Sequence, residues 1–259
     1  MLTPDQIQSF DKEGFVLVED VFSPQEIAIL LTHAEVDKRI EERKSNLPDA
    51  EGRSSKLALW MDVRDDVWGA VTSSRRIVDS VRALLRDDIY HWHSKVMLKE
   101  SRVGGAWERH QDYGYWYDNK CLYPHLCSAL LALNPATKEN GCLKVVVGSH
   151  HLGRINHGER GNQTGADPER LRAIEERLPV RWVEAPAGSV LFFHCNTLHS
   201  SEPNLSASPR TSYICCYNAF SNIPYGGGGH GKPEPINLVS DDAVLRFGEG
   251  ADVTEELVR

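Results

Sequence analysis

Residues 107–113 read Trp-Glu-Arg-His-Gln-Asp-Tyr and place an imidazole, His110, two positions before a carboxylate, Asp112. In an extended chain such a pair shares one face, so both side chains can address one metal ion. Two histidines and one carboxylate on one side of an iron leave its other positions open, which is what binding O2 and a co-substrate together requires. The H-x-D pair by itself is weak, because a chain with 11 histidines and 37 acidic residues produces about one by chance. Its weight comes from a second cluster: Pro186-Ala187-Gly188, the apolar run 189–193, Thr197-Leu198-His199-Ser200-Ser201, and Arg210-Thr211-Ser212. His199 supplies a second imidazole. If 210–218 is a strand, Arg210 and Ser212 share a face with Ile214 and Cys216, so a guanidinium and a hydroxyl point into one space. A guanidinium fork matches a carboxylate bidentately and lysine does not. Without His199 upstream, Arg210 would read as an ordinary structural arginine.

These residues need strands to hold them. From residue 89 onward, short β-branched and aromatic runs at 89–99, 126–133, 142–147, 181–185, 189–194 and 210–218 alternate with Gly, Pro and Asn, the pattern of a β-sandwich or barrel. One helix interrupts them, where Asp167-Pro168 caps Leu171, Ile174 and Leu178. Strict alternation over 89–99 puts His91, His93, Lys95, Met97 and Lys99 on one face and Tyr90, Trp92, Val96 and Leu98 on the other, with the apolar face turned to helices. The first 88 residues read as mainly helical. Thr3-Pro4-Asp5-Gln6 and Ser23-Pro24-Gln25-Glu26 each join a capping residue, a proline at the first helical position and a partner three residues on. Stripes at Ile27, Leu30, Leu31 and Ala34, and at Ile77, Val78, Val81, Leu84 and Leu85, demand a surface to cover. Residues 41–56, EERKSNLPDAEGRSSK, read as an exposed loop, and Gly226 to Gly229 is the one low-complexity stretch. Helices commonly pack on one face of an antiparallel sheet, so residues 1–259 are expected to form one domain, mainly β with flanking helices.

Composition narrows the partners. At 259 residues, 41% hydrophobic and 25% charged, the chain can bury one sizeable core. A net charge of -8 without a Lys/Arg block argues against nucleic acid and leaves a small molecule as the default partner. The opening MLTPDQIQSFDKEGF lacks a basic region followed by an apolar stretch, and no segment approaches the roughly 18 apolar residues of a membrane span, so a cytoplasmic setting is expected. The six cysteines lack C-x-x-C spacing and are expected to be reduced and buried. Oligomeric state is not legible.

With these residues in hand, the chain resembles the phytanoyl-CoA dioxygenase family, which also includes ectoine and free-proline hydroxylases. The likeness covers nearly the whole chain in ordered motifs: Phe10-x-x-x-Gly14-Phe15-Val16, Ile89-Tyr90 to Lys95, Trp107 to Asp112, Glu139-Asn140-Gly141-Cys142-Leu143, Gly148-Ser149-His150, Pro186-x-Gly188-x-x-x-Phe192, His199-x-Ser201 and Arg210-x-Ser212. The resemblance implies a double-stranded β-helix, the cupin-like jelly roll, holding iron(II) through His110, Asp112 and His199. It also implies 2-oxoglutarate and O2 as co-substrates, with Arg210 on the distal carboxylate, Ser201 assisting, and Lys95, Met97 and Tyr113 lining the co-substrate site. His93 and Trp116 match positions near the primary substrate in the ectoine enzymes, and His150 matches a structural turn. The ectoine signature is not reproduced by His110-Gln111-Asp112-Tyr113-Gly114-Tyr115-Trp116, so ectoine itself is not implied. Asp112 stands where halogenating relatives carry Gly or Ala, which favours hydroxylation.

The expected substrate is a small polar metabolite, with an acyl thioester as the alternative. Tyr113, Tyr115, Trp116 and Tyr117 could wall its site and offer cation–π contact to an amine, although each also reads as an ordinary core aromatic. A jelly-roll module that binds metal or ligand without turnover would not need Arg210 together with Ser201. A zinc hydrolase could use two His and one Asp, but no additional general base supports it.

Overall fold

The computed structural model describes residues 2–160, 162–227 and 230–250, so Gly228 and Gly229 of the glycine run lie outside the described residues. The chain begins with α1 (Pro4–Glu13), β1 (Phe15–Val18), α2 (Pro24–Val36), α3 (Lys38–Arg43), β2 (Ser45–Pro48), β3 (Ser54–Trp60), α4 (Val67–Thr72) and α5 (Arg75–Leu85). It continues through β4 (Ile89–Lys99), β5 (Trp107–His110), α6 (Asp112–Trp116), β6 (Leu126–Ala132), β7 (Leu143–Val146), β8 (His157–Arg160), β9 (Gln163–Ala166) and α7 (Pro168–Glu175). Last come β10 (Val180–Val183), β11 (Val190–His194), β12 (His199–Ser201), β13 (Arg210–Ala219) and α8 (Ala243–Gly250). Both predicted capping boxes form, Thr3 with Gln6 on α1 and Ser23 with Glu26 on α2.

A seven-stranded sheet in the order β1-β11-β6-β13-β4-β3-β2 faces a four-stranded sheet in the order β10-β7-β12-β5. Together they make the jelly roll. Alternation along its strands separates two cores. Tyr213, Cys215 and Tyr217 of β13 and Val190 and Phe192 of β11 face outward, where Phe10, Leu30, Trp68, Ile77 and Val81 of the helices cover them. Ile214 and Cys216, with Leu191 and Phe193, face inward against Val145 and Val183 of the smaller sheet. Among the described residues no helix is long and apolar enough to cross a membrane.

The structure departs from the sequence reading in two places. The N-terminal part is not simply helical, because β1, β2 and β3 join the large sheet, and β2 with β3 forms a hairpin where an exposed loop was expected. An edge strand bonds through its backbone on one side only, so its side chains can stay polar and conceal it. Strand β4 also breaks its alternation. Cys216 pairs with His93 and Tyr217 with His91, so Trp92 is an extra residue in β4, a bulge. His91 therefore turns to the helical side, 2.8 Å from Ser94 Oγ, while Tyr90 and Trp92 join His93 and Met97 inside. The expected grouping of His91 with His93 is thus corrected.

Candidate metal centre

His110 ends β5 and His199 opens β12, and the two are directly paired across the small sheet. Gln111, between His110 and Asp112, keeps an extended backbone, φ -101° and ψ 134°, so the two-residue spacing carries Asp112 to the same side although it begins α6. The donor atoms of His110, Asp112 and His199 lie within 4.8 Å of one another, and all three residues are buried. His110 Nδ1 is 2.7 Å from Glu108 O and His199 Nδ1 is 2.9 Å from Thr197 O. A carbonyl can only accept, so each Nδ1 carries the proton and each Nε2 presents its lone pair to the cluster. The two Nε2 atoms stand 3.5 and 3.9 Å from Asp112 Oδ1. Burial opposes charge on Asp112, yet its polar and charged neighbours, Lys95 among them, hold its carboxyl well below the usual carboxylate range. Burial pushes His199 down to about 3, which keeps it a neutral ligand. Two imidazole lone pairs and a charged carboxylate, all on one side, fit an iron(II) ion with open positions opposite.

Two side chains not expected in this role orient Asp112. Tyr115 Oη donates to Asp112 Oδ1 at 2.8 Å and Ser128 Oγ to Oδ2 at 3.1 Å. Ser128 was legible as the lone hydroxyl in the apolar run of β6. Tyr115 was expected to wall the substrate site; its hydroxyl is already engaged by the carboxylate. Tyr113, expected to line the co-substrate site, turns its hydroxyl to Leu122 O at 2.7 Å and Cys121 O at 3.3 Å.

On β13, Arg210 pairs in register with Lys99 and Ser212 with Met97. Arg210 is 6% exposed, and its Nε and Ser212 Oγ are buried without a hydrogen-bond partner among the described residues. Apolar side chains of Leu130, Ala132, Leu143, Val183 and Leu191 surround them. Lys99, which sequence reasoning left unassigned although alternation put it on this face, donates to Ser201 Oγ at 2.7 Å and to Glu202 O. Burial and the neighbouring Arg210 push the Lys99 ammonium well below its ordinary value. Two cations and an unpartnered hydroxyl in an apolar wall fit a carboxylate.

His93 and Trp116 are buried together, ring centroids 5.4 Å apart, and Trp116 also meets Trp92 edge-on at 6.2 Å. His150 holds Asp11 O at 3.0 Å, a structural contact. The wide cleft of about 670 Å³ between residues 61–66 and 232–247 is lined by His91 and so lies on the other face of β4.

Comparison with known proteins bears on the family and the fold. A family model described as phytanoyl-CoA dioxygenase (PhyH) matches residues 10–212. The chain is 29% identical over 255 residues to an ectoine dioxygenase of Bordetella bronchiseptica, covering 91% of this chain and 82% of that one. It is 26% identical over 232 residues to an L-proline trans-4-hydroxylase of Streptomyces griseoviridis, covering 83% of this chain and 86% of that one. The crystal structure of EctD from S. alaskensis with 2-oxoglutarate and 5-hydroxyectoine has the same fold, with a TM-score of 0.76 at 24% identity over 92% of this chain and 87% of that one. A non-heme alpha-ketoglutarate-dependent carbocyclase, SnoK from nogalamycin biosynthesis, aligns with a TM-score of 0.69 at 19% identity over 92% of this chain and 97% of that one. The match that begins at Phe10 in α1 runs through His110, Asp112 and His199 and reaches Ser212 beyond the buried Arg210, and on that extent the chain belongs to the phytanoyl-CoA dioxygenase (PhyH) family.

Proposed function

We propose that this chain is an iron(II)- and 2-oxoglutarate-dependent dioxygenase that hydroxylates an unactivated C–H bond of a small polar metabolite. The observation that carries this reading is the pairing of two features inside one barrel: imidazole lone pairs converging with Asp112, and Arg210 whose Nε has no partner among the described residues. His110 Nε2, His199 Nε2 and Asp112 would hold the metal. Arg210 and Ser212 would take the distal carboxylate of 2-oxoglutarate, with Lys99 adding positive charge through Ser201, while Lys95 and Met97 lie on the same inner face. When bound, iron(II) with 2-oxoglutarate and O2 supplies the oxidation: one oxygen atom goes to the substrate carbon and the other to succinate, with loss of CO2.

The protein's own part is placement. Tyr115 and Ser128 fix the Asp112 carboxylate, Glu108 O and Thr197 O fix the imidazoles, and the apolar wall keeps water from the carboxylate clamp. Asp112 occupies a coordination position that a halogenating enzyme would leave vacant, which supports hydroxylation. The relatives named for ectoine and L-proline support a compact zwitterionic substrate. Nucleic acid is not among the proposed partners, given a net charge of -8. A single domain in the cytoplasm is the proposed setting, supported by free, buried cysteines at all six positions.

The test is stoichiometry. With iron(II), ascorbate, 2-oxoglutarate and a metabolite panel that includes ectoine and L-proline, one compound is expected to raise succinate formation and gain one oxygen atom per succinate. Succinate formation that no compound stimulates would sink the substrate reading. Tyr115→Phe, which removes one hydrogen bond from a ligating carboxylate, is expected to weaken iron(II) binding about 10-fold, measured by anaerobic titration.

A further inference from the structure

Residues that follow β13 are tied to the stretch between α6 and β6. Asn222 bonds to Tyr123, accepting from Tyr123 N at 3.0 Å and donating to Tyr123 O at 2.7 Å. Tyr225 N then donates to Lys120 O at 3.2 Å. Further along, His230 lies against the bulge of β4. Its ring stacks on Trp92 with centroids 5.2 Å apart and planes 13° from parallel, and its Nδ1 lies 2.9 Å from His93 Nδ1. The next residue, Gly231, has φ +67°, and a Cβ there would stand 2.1 Å from His91 O, so the backbone is seated where only glycine fits.

Two Nδ1 atoms at hydrogen-bond distance require one to donate and the other to accept, so the two rings hold opposite tautomers. That choice fixes the other nitrogen of His93. His93 Nε2 is buried and has no partner among the described residues. Burial, helped by the positive charge of Lys95 and opposed by the carboxylate of Asp112, holds the His93 ring well below its ordinary value, so it is neutral. A neutral imidazole held by one nitrogen, with the other nitrogen unused inside an oxygenase barrel, is a hydrogen-bonding group awaiting a ligand.

Resting on the function proposed above, we propose that His230 is a positioning residue for the primary substrate: by holding Nδ1 of His93 it sets the orientation and tautomer in which His93 Nε2 meets a polar group on the substrate. The bulge at Trp92 is what brings the two rings together. His230 is thereby a determinant of substrate choice.

The test separates hydrogen bonding from packing. His230→Phe keeps a ring to stack on Trp92 and removes Nδ1, whereas His230→Asn places a polar atom close to where Nδ1 stood. Imidazole nitrogen NMR of the zinc(II)- and 2-oxoglutarate-loaded protein is expected to give one tautomer for His93 in the parent and in His230→Asn, and a mixture in His230→Phe. For the substrate found in the panel, His230→Phe is expected to raise KM about 10-fold or more, the loss of roughly one buried hydrogen bond, with kcat changed far less; His230→Asn is expected to stay within about threefold. Gly231→Ala, which displaces the segment but leaves both imidazoles, is expected to repeat the His230→Phe result. An unchanged His93 spectrum or an unchanged KM in His230→Phe overturns the proposal. A parent that turns over no metabolite counts instead against the proposed substrate class, and the imidazole spectra then still decide the role of His230.

Discussion

Replacing Arg210 with methionine is expected to weaken 2-oxoglutarate binding by about 100-fold or more and, in the same protein without ligands, to raise the thermal midpoint. Both effects come from one setting: the guanidinium is buried, its Nε lacks a partner among the described residues, and Lys99 is the cation beside it. Burial pushes its pKa down to about 10, so it stays charged at neutral pH and bears the cost of desolvation with little returned by the protein. A carboxylate arriving at that fork regains a bidentate, charge-assisted pair in apolar surroundings. Truncating one partner of such a pair costs about 2–5 kcal/mol, and each 1.4 kcal/mol is about tenfold in affinity. Methionine fills the space of the stem without a charge, so the free protein gains stability as the complex loses it. Arg210→Lys keeps charge but not the fork and is expected to fall between. Ligand binding is read from the charge-transfer absorption of the iron(II) complex under anaerobic titration with 2-oxoglutarate, and stability from unfolding of the metal-free protein. Undiminished 2-oxoglutarate affinity in Arg210→Met would remove Arg210 from the site.

What the sequence made legible was local. His110-x-Asp112, His199 and Arg210 could be picked out because each sits in a short motif whose spacing is set by an extended backbone, and the cap residues Thr3 and Ser23 announce their helices in the same way. The parts that stayed hidden depend on which strands become neighbours. Ser201 meets Lys99 across 102 positions of sequence, and His230 meets His93 across 137. The bulge at Trp92 is the plainest case. One inserted residue reversed the expected side of His91, Tyr90 and Trp92 while leaving Lys95, Met97 and Lys99 where alternation placed them. Nothing in His-Trp-His-Ser signals it, because a bulge is a mismatch with the partner strand β13 rather than a property of β4. The hairpin of β2 and β3 was missed for a related reason: edge pairing uses backbone atoms, and polar side chains do not forbid it.

Exchanging Asp112 for asparagine is expected to abolish turnover while leaving the metal-free fold intact. Asparagine keeps the shape of the carboxylate and can still accept from Tyr115 or Ser128, so packing changes little. What it removes is the only acidic side chain among the cluster's three members, the group that neutralises half of a divalent charge inside a buried site. Residues that merely orient ligands cost about 10- to 100-fold in metal affinity when changed, so loss of the ligand charge itself is expected to exceed that range. Thermal unfolding gives a readout independent of activity. A metal that binds only the folded state stabilises it by about 2.7 kcal/mol when present at 100 times its dissociation constant. The parent is therefore expected to show a midpoint that climbs with added iron(II), or with cobalt(II) as a stand-in stable to air. Asp112→Asn and His110→Ala are expected to show none at the same concentrations. A metal-dependent rise of the parent's size in Asp112→Asn would mean that the ion sits elsewhere, and the convergence of His110, Asp112 and His199 would then be a buried hydrogen-bonding network without a metal.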